Sequence, residues 1–348
     1  MNRPEPPTTQ RKRGWPLVKR LLTVAFFILL IVLLVMLGKN VDWNEVLATL
    51  RDYRASTLLL AAAACLASYL AYSSFDLLGR AYAKHHLPAW QIMPVTFVCY
   101  AFNLNLSAWV GGLALRYRLY ARLGLSNAEI TKVYSLSLMT NWLGYLMLGG
   151  VLFAFGPIEL PDSWAIGRGT LRLLGLALLA VTVGYLLLCG FSRRRSWHVR
   201  GHEIRLPSLW LASTQMVLGA INWALMGLVI YILLMNRVSY AEVLGVLLIS
   251  SIAGVITHVP AGLGVLEAVF ITLLQHQISK GSLLAGLIGY RALYFLAPLL
   301  VATLVYLVLE FRAKRLRQMN REKRTAENPP TSPERPAAKR SMAKPPVP

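Results

Sequence analysis

Long apolar runs separated by short polar links make up most of the chain. The runs begin near Leu21, Thr57, Ile92, Thr131, Thr170, Leu209, Glu242 and Leu283. A helix needs roughly 20 predominantly apolar residues to cross the hydrocarbon core of a bilayer. The pattern therefore predicts an all-α polytopic membrane protein, and a hydrophobic fraction of 56% with mean hydropathy +0.53 agrees with it.

The basic residues predict the orientation of this membrane domain. Lys and Arg number 36 against 15 Asp and Glu, a formal net charge of +21, and they cluster in short links and in the two tails. Lys and Arg near the ends of spans are retained on the cytoplasmic side. We expect a multi-pass protein of a bacterial inner membrane with both termini in the cytoplasm. No link is long enough to fold into a basic surface, which argues against a nucleic-acid partner.

Charge and composition divide the chain into three parts. Residues 1–20 form a basic cytoplasmic N-terminal segment, and residues 21–310 form the transmembrane domain. Residues 311–348 form a basic cytoplasmic tail that is rich in Pro, Lys and Ala and poor in hydrophobic residues. Such a composition buries too little apolar surface to fold, so the tail is expected to be disordered.

Six of the runs fit full transmembrane helices with alternating direction. The predicted spans cover residues 21–38, 57–76, 131–155, 170–191, 208–235 and 283–310. Asp76 then falls at the cytoplasmic end of the second span, where we expect it at the interface. The link 39–56 has balanced charges and is expected to form a short interfacial helix on the external face.

Two further segments, 90–124 and 241–277, break the alternation of the spans. If residues 92–113 crossed the membrane, the basic cluster that begins at Arg116 would lie outside. Polar residues and glycines also interrupt both segments, and irregular backbone at membrane depth is tolerated only where protein or a wet cavity covers it. We predict two re-entrant hairpins that enter from opposite faces.

The hairpins suggest an inverted repeat. Residues 103–118 align on residues 254–269 without a gap, which places Arg116 on Glu267. The order span, span, hairpin, span occurs in residues 21–155 and again in 170–310, with opposite starting sides. Inverted repeats with discontinuous helices are the architecture of many secondary transporters.

Three stretches carry a family resemblance: YAFNLNLSAWVGGLALRYRLYARLGL, TNWLGY and SSIAGVITHVPAGLGVLEAVFI. They resemble the lysylphosphatidylglycerol synthase transmembrane-domain family, over about residues 15–315, and in particular its stand-alone bacterial inner-membrane members. The resemblance implies the fold of the lipid-translocating membrane half of aminoacyl-phospholipid synthases. It does not imply synthase activity, because the catalytic domain of those enzymes is soluble and needs far more chain than the tail offers.

Three charged residues are the strongest candidates for a head-group site. A charge at mid-membrane costs about 2.5–3.5 kcal/mol on insertion scales. Charged residues at the positions of Arg116, Glu267 and Arg291 are therefore expected to have a functional or structural role. The resemblance places Arg116 and Glu267 in the two hairpin motifs, and a guanidinium matches phosphate oxygens bidentately. The structural alternatives are an Arg116–Glu267 ion pair that joins the hairpin tips, and pairing of Arg291 with Glu267 or with hairpin carbonyls.

Uncharged polar residues mark the hairpin breaks. Asn103, Asn105 and His258 are candidates to line a translocation path, and the alternative is that their side chains satisfy freed backbone groups. No second ligand stands at metal spacing from His258, so no metal is expected. No P-loop, HExxH or G-x-S-x-G motif occurs, and we expect neither a cofactor nor a catalytic site.

These observations favour a transporter or flippase of phospholipids, with anionic lipid as the expected substrate. A membrane-embedded enzyme of lipid metabolism is the first alternative, with Glu267 or His258 as its acid or base. A non-catalytic partner of a lipid-modifying complex is the second. The expected partners are membrane phospholipids, and a homo-oligomer or a lipid-modifying enzyme is compatible with the chain.

Overall fold

The computed structural model describes residues 43–106, 112–158, 167–192, 196–199, 202–259 and 262–311. The chain through Thr303 forms one compact unit, and a second begins at Leu304. The helices are α1 (Trp43–Arg51), α2 (Ala55–Ser73), α3 (Phe75–Ala83), α4 (Ala89–Asn105), α5 (Leu115–Arg122), α6 (Asn127–Phe155), α7 (Arg168–Phe191), α8 (Leu209–Leu233), α9 (Tyr240–Thr257), α10 (Val265–Leu274) and α11 (Lys280–Tyr290). A π-helical segment, Arg291–Leu296, follows α11, and the helical stretch runs on to Phe311.

Serine caps determine where several of the long helices begin. Ser126 accepts the backbone N–H of Glu129, whose carboxylate in turn accepts from the backbone of Ser126. The same reciprocal arrangement joins Ser239 and Glu242 at the start of α9. This capping box satisfies N–H groups that have no partner within the first turn, and it is visible in the sequence as S-x-x-E.

Within the described residues, six helical stretches are long and apolar enough to span a membrane. Five contain or match predicted spans: Ala55–Ala83, Asn127–Phe155, Arg168–Phe191, Leu209–Leu233 and Lys280–Phe311. The sixth is Tyr240–Thr257, which the sequence analysis assigned to the first limb of the second hairpin. The predicted span 21–38 lies outside the described residues. The all-α polytopic fold is confirmed.

Helix–break–helix units occupy both predicted hairpin segments. α4 ends at Asn105 and packs against α5, while α9 ends at Thr257 and packs against α10. At 1.5 Å per residue, the eight residues of α5 and the ten of α10 extend only about 12 and 15 Å, no more than about half of a bilayer core. These lengths suit re-entrant limbs, and the re-entrant path and the inverted repeat stay predictions.

The predicted cytoplasmic loop after α7 adds a small element that the sequence analysis did not predict. Strand β1 (Ser196–Val199) pairs antiparallel with β2 (His202–Arg205), with Ser196 opposite Arg205. Such a two-stranded hairpin is marginally stable by itself. It leaves the fold class of the membrane domain unchanged.

Helices α6 and α8 approach each other closely at two glycines. A methyl group built on Gly144 would overlap the backbone of Gly219, and one built on Gly219 would overlap the carbonyl oxygen of Thr140. Helices in hydrocarbon associate through close van der Waals packing, because burial from water no longer drives them together. The two missing side chains therefore determine how near α6 and α8 can approach.

We expect Gly219→Ala to separate α6 from α8 and to lower the thermal unfolding temperature of the purified protein. Overpacking of this kind costs roughly 1–3 kcal/mol. Gly184→Ala is the matched control, since a methyl group there meets nothing within 4 Å. Equal unfolding temperatures for the two variants would contradict the tight crossing.

Candidate functional site

A fully buried ion pair joins Asp76 on α3 to Arg116 on α5. Arg116 donates from Nε to Oδ2 of Asp76 at 3.1 Å and from Nη2 to Oδ1 at 3.2 Å. The side chains are 1% and 0% exposed. Such a bidentate contact matches the planar guanidinium to the carboxylate.

The remaining hydrogen-bonding capacity of this pair is also used inside the protein. Asp76 accepts from Thr96 at 2.9 Å and from Tyr120 at 2.8 Å. Arg116 donates to Ser137 at 3.2 Å and to the Gly112 carbonyl at 3.3 Å. Each charge therefore has several protein partners, as buried charges require.

Asp76 is buried inside the protein, and its expected position at the membrane interface stays a prediction. The helical stretch continues past residue 76, because α3 follows α2 after Ser74 and runs to Ala83. Residues of α4 and α5 contact the carboxylate, and α6 contacts its partner Arg116. The sequence offered one signal, which is that a lone acidic residue follows an otherwise uncharged apolar run.

A second ion pair joins Glu267 on α10 to Arg291 at the end of α11. Arg291 donates from Nε to Glu267 Oε1 at 2.6 Å and from Nη2 to the Gly262 carbonyl at 3.0 Å. The Gly264 backbone N–H donates to the same carboxylate at 2.9 Å. Arg291 and Glu267 are 14% and 13% exposed, so this pair is more open than the first.

The proposed structural pair between Arg116 and Glu267 was wrong. Each of these residues has its partner in its own half of the chain, Asp76 in the first half and Arg291 in the second. The contacts α3–α4 and α4–α5 hold Asp76 near Arg116, and the contact α10–α11 holds Glu267 near Arg291. The sequence alternative that paired Arg291 with Glu267 and with a hairpin carbonyl is confirmed.

The π-helical segment after Arg291 is held by side chains of neighbouring helices. Three consecutive carbonyl oxygens accept side-chain hydrogen bonds, from Cys65 to Leu293 at 3.2 Å, from Tyr69 to Tyr294 at 3.0 Å and from Asn105 to Phe295 at 3.1 Å. A π turn disturbs the regular backbone pattern, and such turns occur frequently at functional sites. The structural alternative for Asn105, satisfaction of backbone carbonyls, is thus confirmed.

Buried hydroxyl groups form a cluster beside this segment. Tyr294 shares hydrogen bonds with Ser68 at 2.6 Å and with Tyr100 at 3.0 Å, and Ser68 donates to Asn222 at 2.9 Å. The Tyr290 ring stacks on Tyr294 with centroids 5.2 Å apart. The Tyr290 hydroxyl is buried and has no hydrogen-bond partner among the described residues.

A cavity of about 540 Å³ lies between the end of α4 and the end of α9. Asn103 and Leu106 line it from the end of α4, and His258 and Gly262 line it from the segment between α9 and α10. Asn103 and His258 both line this cavity, and their role in a translocation path stays a prediction. Neither Arg116 nor Arg291 is among the described lining residues, and Arg291 donates to the carbonyl of Gly262, which does line the cavity.

Aromatic side chains of α6 and α8 also line the cavity. Trp142 and Trp223 flank Tyr145 in edge-to-face contacts, with ring centroids 5.7 and 5.5 Å apart. The Trp223 indole donates to the Asn141 carbonyl at 3.1 Å. The sequence contains a signal for this contact, because an Asn-Trp dipeptide occurs in both α6 and α8.

The described part of the chain contains no group of three or more His, Cys, Asp or Glu side chains placed to hold a metal ion. The polar chemistry of the cavity is accordingly that of amide, hydroxyl, imidazole and indole groups, with the Arg291–Glu267 pair beside it.

Comparison with known proteins extends these observations over most of the chain. Residues 20–302 match the family model described as the lysylphosphatidylglycerol synthase TM region. The chain is 52% identical over 307 residues to the inner membrane protein YbhN of Escherichia coli (strain K12). The matched region covers 88% of this chain and 96% of that protein. It is 30% identical over 285 residues to the uncharacterized protein slr0712 of Synechocystis, covering 81% of this chain and 87% of the relative.

We expect Asp76→Ala to leave the Arg116 charge buried and unpaired, at a cost of about 3–5 kcal/mol of unfolding free energy. The double variant Asp76→Leu with Arg116→Met should recover most of this loss, because it removes both charges. Unfolding in detergent, followed by circular dichroism, measures both effects. Asp52→Ala, at an exposed position, is the control. A double variant as unstable as Asp76→Ala would contradict charge compensation.

For the hydroxyl cluster, we predict that removing the hydroxyls of Tyr290 and Tyr294 has different effects on stability. Tyr290→Phe removes a buried hydroxyl without a partner and should leave the unfolding temperature unchanged or raise it. Tyr294→Phe removes the partner of Ser68 and Tyr100 and should cost about 1–3 kcal/mol. Thermal unfolding of both variants in one detergent gives the comparison. A destabilised Tyr290→Phe protein would show that the hydroxyl has a partner in solution.

Proposed function

The chain belongs to the lysylphosphatidylglycerol synthase TM-region family, and from this membership and the cavity between its helix breaks we propose that it transports phospholipids across a bacterial inner membrane. The name of the Escherichia coli relative supports this location. We further propose that both termini lie in the cytoplasm, as the distribution of Lys and Arg favours.

The observation that carries the proposal is the position of the cavity. Residues from both helix breaks line it, and its volume of about 540 Å³ lies in the range of small-molecule sites. Discontinuous helices near the middle of the membrane form the substrate sites of many secondary transporters. A phospholipid head group would enter this space while the acyl chains stay in the bilayer.

Arg291 is the cation that we assign to the head-group phosphate. Its partner Glu267 neutralises it in the empty protein, and both side chains keep some exposure beside the cavity. An arriving phosphate offers the guanidinium the same bidentate geometry as the carboxylate. Exchange of Glu267 for phosphate would bind the lipid, and the displaced carboxylate would keep the bond from the Gly264 N–H and take up a proton. The reverse exchange would release the lipid and the proton and restore the Arg291–Glu267 pair.

We assign Arg116 a structural role in this mechanism. The guanidinium is 1% exposed, and its described hydrogen bonds go to Asp76, Ser137 and the Gly112 carbonyl. A lipid phosphate would have to break this arrangement before it reached the side chain. The head-group contact therefore falls to Arg291, and Arg116 holds α5 against α3 and α6.

The surroundings of Glu267 and His258 favour transport over an enzymatic role. As an acid or base, Glu267 would have to leave the ion pair with Arg291 and the Gly264 N–H. His258 lines the cavity, and its Nδ1 lies 2.9 Å from the Ile256 carbonyl. Neither group has a described catalytic partner, whereas transport needs only the exchange of partners at Arg291.

We expect Arg291→Gln to slow lipid movement at least about tenfold, the loss that follows from removing a hydrogen bond between charged groups. The measurement uses purified protein in liposomes and follows the transfer of fluorescent phospholipid between the leaflets. Arg172→Gln, an exposed arginine outside the cavity, should match the unaltered protein.

The same preparation separates the alternatives. Lipid movement by the purified protein without a partner supports transport, and its absence would indicate a partner in a lipid-modifying complex. Mass spectrometry of the liposome lipids after incubation should show the starting species only. A new lipid species would establish the enzymatic alternative.

A further inference from the structure

The α9 wall of the cavity presents hydrogen-bond acceptors. The hydroxyl of Ser250 donates to the Val246 carbonyl at 2.7 Å, and that of Ser251 donates to the Leu247 carbonyl at 2.8 Å. Each hydroxyl has a single proton, and these bonds use it. What the two serines can offer to the cavity is therefore the lone pairs of their oxygens.

His258, at the end of the same wall, has the same polarity. Its Nδ1 lies 2.9 Å from the Ile256 carbonyl oxygen, which can only accept, so Nδ1 carries the proton. In the neutral ring Nε2 is then an acceptor. His258 is exposed to the cavity in a left-handed backbone conformation (φ 54°) that ends α9.

Two donors on the aromatic side of the cavity are also used. The Tyr145 hydroxyl donates to the Leu248 carbonyl at 3.0 Å, and the Trp223 indole donates to the Asn141 carbonyl at 3.1 Å. Away from α9, the lining side chains that keep donor capacity among the described residues are the amides of Asn103 and Asn141, the indole of Trp142 and the hydroxyl of Tyr290. Acceptors therefore dominate along α9, and the cationic donor Arg291 lies at one end.

We propose that the cavity selects phospholipids whose head group carries hydrogen-bond donors beyond the phosphate, either hydroxyl or ammonium N–H groups. The phosphate would face Arg291, and the donor-bearing end would face Ser250, Ser251 and His258. A head group without donors would leave these acceptors desolvated and unpaired, which is the costly case for buried polar groups. This inference rests on the proposed function, because it describes the same cavity.

Lipids that differ in donors and not in charge give the test. Phosphatidylethanolamine and phosphatidylcholine are both zwitterionic, and only the first carries N–H groups. Phosphatidylglycerol and phosphatidylmethanol are both anionic, and only the first carries hydroxyls in its head group. The purified protein is equilibrated with an equimolar mixture of each pair, with identical acyl chains, and native mass spectrometry counts the bound lipids.

We expect at least a fivefold preference for the donor-bearing lipid in each pair. Replacement of the two serine acceptors, Ser250→Ala with Ser251→Ala, should lower the preference at least about twofold and leave His258 as the remaining acceptor on this wall. The matched control is Ser74→Ala, since Ser74 makes the same bond to the carbonyl four residues earlier, at 2.9 Å, outside the cavity. These substitutions remove a donor and leave no buried donor unpaired, so the helices should persist.

Equal binding within both pairs, or a preference for phosphatidylcholine through its contact with the aromatic rings, would overturn the inference while transport could still occur. Failure to bind any phospholipid would instead contradict the proposed function. Soluble glycerophosphoethanolamine is added as a competitor in a further arm. Displacement of phosphatidylethanolamine by this competitor at equal concentration would identify a free phosphodiester as the ligand, against the lipid assignment, and we expect none.

Discussion

In hydrocarbon no solvent can pair with a charge or a carbonyl group, so each such group inside this protein depends on another part of the chain. The Asp76–Arg116 pair shows the consequence most clearly, because helices α3, α4, α5 and α6 all contribute to its hydrogen bonds. The same requirement explains the π-helical segment after Arg291. Its carbonyl groups accept hydrogen bonds from side chains of α2 and α4. These bonds hold the two helices against the last described span.

The two ion pairs differ in exposure, and on this basis we assign a structural role to the first pair and a ligand-binding role to the second. The Asp76–Arg116 pair in the first half is buried among the described residues, and its hydrogen bonds hold the surrounding helices together. The pair in the second half is partly exposed and adjoins the cavity, so its members can exchange partners at lower cost. Under the proposed function, the pair in the first half supports the fold, and the pair in the second half supplies the charge that we assign to the head group.

Close helix packing and internal hydrogen bonds define the shape of the cavity walls. The glycine contact between α6 and α8 brings Tyr145 and Trp223 together, and their rings form one side of the cavity. The hydroxyl protons on this side and on α9 are bonded to carbonyl groups of the protein. The walls are therefore rigid and have a defined hydrogen-bond polarity before any ligand arrives, which lowers the ordering cost of binding.

The sequence by itself determined the membrane class, the helical fold and five of the described spans, because the length of an apolar run and the positions of serine caps are local properties. It also identified Arg116, Glu267 and Arg291, since a charge in an apolar run is costly wherever it lies. Only the tertiary structure decided which charges pair. Asp76 lies 40 residues from Arg116, and its burial depends on how α4, α5 and α6 pack over it, a property that periodicity and composition do not encode.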